Sequence, residues 1–274
     1  EICVDSARRF ERVSPEAAVG LYLTAARQGY PAIRKSVRNQ HDEVLLGFYN
    51  HACSRVARLV FERPATWKSK TSYPREMGQQ LLEIHPVASP DLELSDFDQL
   101  TPVDGLEVEG FETRAATRGV GGALVAFQKA TTELRKADPN IPYVGNSLPL
   151  TATLDFDGHG NVDLRFHDVW LSDRAEVNGL DVTLTSDFTA PLANIMAMAP
   201  RGNIGLAGML KPDSATNRIA LYRIEPFRKN KIPVVFTHGL MSKPATWKNA
   251  WNTLLADREI REAYQFWAYM YPTG

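Results

Sequence analysis

Side chains able to do chemistry gather at a few places in the 274-residue sequence. Asp155, Asp157, His159 and His167 crowd one turn, and imidazole with carboxylate is a ligand set for a divalent cation. Alternation along the flanking segments puts Asp155 and Asp157 on a polar face, and Asp, Gly and Asn in a turn have local hydrogen-bonding reasons to be there. A solvated hairpin turn is therefore the expectation. His41 and His51 are too far apart in sequence for an i, i+4 metal pair, and Asp91, Glu93, Asp96 and Asp98 lack the glycine and closing glutamate of a calcium loop. Gly119-Val120-Gly121-Gly122 lacks the Lys-Ser or Lys-Thr of a phosphate cradle, and Gly202-Asn203-Ile204-Gly205 precedes a strand instead of opening a helix, which disfavours a dinucleotide. No metal and no cofactor is expected. The remaining candidate is Lys231-Ile232-Pro233-Val234-Val235-Phe236-Thr237-His238-Gly239-Leu240-Met241-Ser242: an apolar, β-branched run closing on a His-Gly turn and followed by a helical pattern. Strand, loop and helix in that order make a site architecture.

The elements that must position this loop are legible. Pro244 suits a first helical turn, and Trp247, Trp251, Leu254 and Leu255 share one face. Gln265 to Tyr271 is a second apolar strand, so the unit reads as βαβ with parallel strands. Upstream, Arg218 to Ile224 alternates as a strand ending at Pro226. Ser14-Pro15 opens a helix that stops at Gly29, and a second helix is expected from about Ser36 to Phe61. Leu81 to Val87 reads as one short strand. Residues 105 to 224 read as β-rich: Leu150 to Phe156 pairs with Val162 to Trp170 around Asp157-Gly158-His159-Gly160-Asn161, with one face buried. Leu180 to Leu184 is another strand, and Asp187 to Met198 is helical with Leu192, Ile195 and Met196 inward.

Residues Leu221 to Gly274 resemble the opening of a bacterial α/β-hydrolase domain, in particular lipase- or esterase-like serine hydrolases with a long N-terminal extension. The resemblance rests on Tyr222-Arg223-Ile224-Glu225-Pro226, Val234 to Met241, Thr246-Trp247 and Phe266 to Gly274, and more weakly on Gly119 to Gly122 and Asp187 to Ala193. It implies that the backbone N–H of Leu240, with Met241 as second choice, stabilises charge on a reacting carbonyl oxygen, and that His238 and Gly239 support the loop. It also implies an ester or lipid substrate, a cell-envelope setting and peripheral association with a membrane. In this fold the nucleophile sits in a Gly-x-Ser-x-Gly elbow followed by the acid and the histidine. Gly145-Asn146-Ser147-Leu148-Pro149 ends in proline and lies upstream of the His-Gly loop, so it reads as a turn before a strand. Ser, Asp or Glu, and His are expected from a missing C-terminal part or another chain. That part would also cover the strand at 232–237, which is apolar on both faces.

Composition bounds the rest. A chain that is 44% hydrophobic and 23% charged, with net charge −1, is ordinary for a globular protein and has no basic field for nucleic acid. Cys3 and Cys53 make neither a disulfide framework nor a metal site. No stretch reaches the ~18 apolar residues of a membrane span. The expected class is α/β: an N-terminal α+β extension over 1–211, helical to about 61, then the first strands and helix of a hydrolase sheet over 212–274, truncated before the nucleophile. The alternative is a non-catalytic binding or assembly module on a hydrolase-like scaffold.

Overall fold

The structure, a computed structural model, describes residues 1–35, 39–67, 70–75, 78–198, 219–237 and 247–271. Along the chain run α1 (Ile2–Phe10), α2 (Pro15–Gly29), α3 (Gln40–Phe61), β1 (Thr71–Pro74), β2 (Gln79–Ala88), β3 (Gln99–Pro102), β4 (Ala116–Thr117), β5 (Gly122–Lys129) and α4 (Thr132–Ala137). There follow β6 (Gly145–Phe156), β7 (Val162–Asp168), β8 (Arg174–Val177), β9 (Leu180–Thr183), β10 (Ser186–Asp187), α5 (Thr189–Ala197), β11 (Ala220–Arg223), β12 (Ile232–Thr237), α6 (Lys248–Ala256), α7 (Arg258–Ala263) and β13 (Tyr264–Met270). The protein is mixed α/β. It divides into two compact units, one of Glu1–Leu106, Thr117–Leu124 and Leu150–Ser186, the other of Glu107–Ala116, Val125–Pro149 and Asp187–Gly274. The boundary expected at residue 211 falls outside the described residues. None of the described helices is long and apolar enough to cross a membrane.

In the first unit, α2 starts with Pro15 at a position where its missing N–H costs nothing, and buries Ala18, Val19, Tyr22 and Leu23. At Gly29 a Cβ would stand 2.3 Å from the Leu45 carbonyl oxygen, so glycine is what lets the end of α2 meet α3. Helix α3 begins at Gln40 and not near Ser36 because Asn39 and Asp42 form a reciprocal cap, Asp42 N donating to Asn39 Oδ1 at 2.9 Å and Asn39 N to Asp42 Oδ2 at 3.2 Å.

Strands follow the order β1-β2-β7-β6-β5-β3, with β5 and β6 contributing only residues 122–124 and 150–156 to this unit. The β6–β7 hairpin forms as read from the sequence, with Leu154 opposite Leu164 and Phe156 opposite Val162. Its two arms bury more than one face: Thr151 and Thr153 are fully buried on β6 because their hydroxyls are satisfied, Thr151 donating to Thr185 O at 2.5 Å and Thr153 paired with His167 Nε2 at 2.8 Å. Tyr49 ties α3 to β6, its hydroxyl donating to Leu154 O at 2.9 Å and accepting from Leu154 N at 3.0 Å. The glycines at 119, 121 and 122 lead into strand β5 and serve close packing: a Cβ on Gly122 would lie 2.3 Å from Ser54 N. Strand β2 outruns the expected Leu81–Val87 segment and pairs in parallel with β7, passing Pro86 by a bulge between Ile84 and Val87. Strands β8 and β9 form a hairpin on Asn178-Gly179, both at positive φ (58° and 69°), the pair that a two-residue turn of this twist demands.

In the second unit, β11, β13 and β12 lie in that order, β13 antiparallel to β11 and parallel to β12. The parallel pair is the one expected from the apolar runs. Between its strands, α6 buries Trp251, Asn252 and Leu255. Trp251 stacks on Phe236 (5.2 Å between centroids) and meets Phe266 edge-on (6.1 Å), so the core under this sheet is largely aromatic. Helix α5 buries Leu192 and Ile195, as the sequence indicated, whereas Met196, also expected inward, is only half-buried; Asp187, two residues before the helix, accepts from Ala190 N through Oδ1 at 2.7 Å. Gly145 to Pro149 are the first residues of β6 and not a turn. Ser147 is buried there, its hydroxyl accepting from Asn194 Nδ2 at 3.2 Å, which is a packing role.

Candidate functional site

The sequence points to the C-terminal end of β12. Register places Thr237 opposite Tyr269 on β13, and the Thr237 carbonyl accepts from Trp247 Nε1 at 3.1 Å. Phe236 contacts Trp247 at 5.5 Å and Phe266 at 5.7 Å between centroids, so the residue before the strand end is clamped among three aromatic rings. His238, Gly239, Leu240 and Met241 lie outside the described residues.

The base of this sheet is fixed by a buried ion pair. Glu225 Oε2 accepts from Lys231 Nζ at 3.1 Å and Oε1 from Phe266 N at 2.9 Å, with both charged side chains almost without solvent contact. Burial holds the Glu225 carboxyl above its usual pKa despite the opposing pull of Lys231 and the Phe266 amide. Gln265 completes the tie, accepting from Arg228 N at 3.2 Å and donating to Arg228 O at 3.0 Å. The chain between β11 and β12 is thereby held to the first residues of β13. Glu225 belongs to the quoted resemblance, yet nothing in the sequence marks it as buried.

The first unit contains a cleft of about 380 Å³ lined by Tyr30, Lys70, Glu83, Asp155, Asp163 and Asn178 among others. Three carboxylates cross adjacent strands in one row: Glu83 on β2 is opposite Asp163 on β7, which is opposite Asp155 on β6. Like charges placed opposite one another destabilise a sheet unless neutralised. Lys70 Nζ reaches Glu83 Oε2 at 2.8 Å, Arg165 Nη2 reaches Asp163 Oδ2 at 3.0 Å, and Asp155 Oδ1 accepts from Tyr30 Oη at 2.7 Å and Asn178 N at 2.8 Å. Burial, and then this bond to Asp155, raise the Tyr30 phenol well above its usual pKa, so it acts as a donor at neutral pH.

Of the residues in the metal set weighed from the sequence, the structure uses Asp157 for the turn: its Oδ1 accepts from His159 N (2.9 Å) and Asn161 N (2.7 Å). His167 is buried against Thr153. The group that does converge among the described residues is Glu83, His85 and Asp163, with ligand atoms within 4.8 Å of one another. Sequence reading missed it because β2 and β7 are far apart in the chain and their parallel pairing is non-local. The available signal was Glu83 and His85 two apart on one polar face of a recognised strand.

No family model, curated protein or solved structure matches the chain.

Proposed function

We propose that the β12–β13 segment is the opening of an α/β-hydrolase catalytic domain and that the protein takes part in cleaving an ester, with Leu240 N–H, or Met241 N–H, as an oxyanion donor. The supporting observation is the parallel pairing of Ile232–Thr237 with Tyr264–Met270 through an intervening helix, with His238-Gly239 following directly on the last residue of β12. Ligand sites in such sheets lie beyond the carboxyl ends of the strands, at loops of this kind. A Gly-x-Ser-x-Gly elbow does not occur in these 274 residues, so the nucleophile, its acid and its histidine come from a further part of the polypeptide or a second chain. The expected fold sets β12 between β13 and the strand leading to that nucleophile. An acyl ester, including a lipid at a membrane surface, is the substrate class.

The test is a fluorophosphonate probe applied to the protein isolated in its native length with whatever chain accompanies it. A labelled serine in that material, and a fall in ester hydrolysis of about 10²- to 10³-fold in Leu240→Pro, which deletes the N–H, are expected. Material in which no serine is labelled would overturn the proposal.

A further inference from the structure

In the first unit we propose a site for a divalent transition-metal cation formed by Glu83, His85 and Asp163, independent of any ester chemistry at β12. One imidazole nitrogen and two carboxylate oxygens are a donor set suited to zinc and its neighbours.

Three observations converge. His85 Nε2 is out of contact with solvent and makes no hydrogen bond; it lies 3.3 Å from Asp163 Oδ1, in an orientation that does not serve one. In the tautomer protonated at Nδ1, the Nε2 lone pair lies beside the Asp163 carboxylate, where a cation could bridge the two. Second, the residue that aims this ring sits at an irregularity: the bulge between Ile84 and Val87 places His85 and Pro86 against the single residue Arg165 of β7. Bulges re-aim side chains, and Pro86, without an N–H, suits one. Third, Glu83 and Asp163 face each other in parallel register, and the cations that now offset them, Lys70 on Glu83 Oε2 and Arg165 on Asp163 Oδ2 at 3.0 Å, leave Glu83 Oε1 and Asp163 Oδ1 to a bound ion. Lys70 is the more displaceable of the two cations, its side chain 60% exposed on a flexible stem against 42% for Arg165. The adjoining cleft, which Glu83 and Asp163 both line, has room for water or a further ligand on the open side of the ion.

The experiment is titration of untagged protein with Zn²⁺ in competition with a chelating dye. One equivalent should bind with a Kd on the order of micromolar. His85→Asn and Asp163→Asn should each weaken it by at least about tenfold, in line with loss of one ligand of three. Lys70→Ala should strengthen it about two- to fivefold, because it removes a competing exposed ion pair. Lys70 is the deciding variant if a ligand substitution impairs folding, since it lies at the surface. His159→Ala, in the exposed turn, should change nothing. The absence of saturable binding, binding that survives His85→Asn in folded protein, binding lost in His159→Ala, or an affinity unmoved by Lys70→Ala would each overturn the site.

Discussion

His167 shows how one buried side chain sets a pH limit for the first unit. It lies on β7 with Nε2 at 2.8 Å from the Thr153 hydroxyl, and burial, aided by the charge of Arg165 and opposed by Asp155, lowers its pKa to about 4. An unfolded histidine titrates near 6.5. Between the two values the unfolded chain takes up a proton that the folded chain refuses. The contribution to stability is therefore complete above about pH 6.5 and is lost as pH falls toward 4, some 3 kcal/mol at about 1.4 kcal/mol per unit. His167→Gln removes the titration and keeps a polar partner for Thr153. Urea unfolding at pH 7 and pH 4.5 should show wild type losing about 2 kcal/mol more than the variant over that interval; equal losses would mean that His167 titrates normally when folded. Little of this was visible in the sequence, where His167 was weighed as a ligand beside Asp155 and Asp157. Which histidine is buried depends on what packs over β7, and that is decided by residues distant in the chain.

Among the elements, those specified locally were legible and those specified by partners were not. The apolar runs at 232–237 and 265–271 are too long and too β-branched or aromatic to be turns, and the Asp157 to Asn161 turn carries its own hydrogen bonds, so β12, β13 and the β6–β7 hairpin could be read directly. The β8–β9 hairpin carried an equally local signal in Asn178-Gly179, which the reading of Leu180 to Leu184 as a strand did not use. By contrast, the parallel pairing of β2 with β7, and hence the Glu83, His85 and Asp163 group, has no local signature. The same holds for the ion pair that ties the β11–β12 connection to β13, because charged residues read as exposed until burial is seen. Lys231→Ala would leave Glu225 buried without its counter-charge, at a cost of about 3–5 kcal/mol. The double change Glu225→Leu with Lys231→Met should regain most of that, since a buried pair is often replaceable by apolar residues of similar size. Thermal unfolding of the two variants checks this: a double variant as unstable as Lys231→Ala would show that the hydrogen bond from Phe266 N to Glu225, and not charge compensation, dominates.

At the level of the whole molecule, the exposure of β12 is the feature that the proposed function must account for. Its sequence, Ile-Pro-Val-Val-Phe-Thr, is that of a strand covered on both faces, yet Ile232 is 58% and Val235 49% exposed. Parallel strands of this composition are normally enclosed, and an open apolar edge invites association. If a further strand and its helix cover β12, as the proposed function requires, β12 should respond oppositely to a charge with and without that cover. Val235→Lys in the 274-residue chain should leave the melting temperature nearly unchanged, as surface substitutions within about 0.5 kcal/mol do, and raise the fraction recovered as monomer by size-exclusion chromatography. In material that carries the proposed covering strand the same substitution would bury an unpaired ammonium, and should lower stability by several kcal/mol and the proposed ester hydrolysis with it. A charge tolerated equally in both would mean that β12 stays exposed, and the neighbouring strand that the proposed function requires would then be absent.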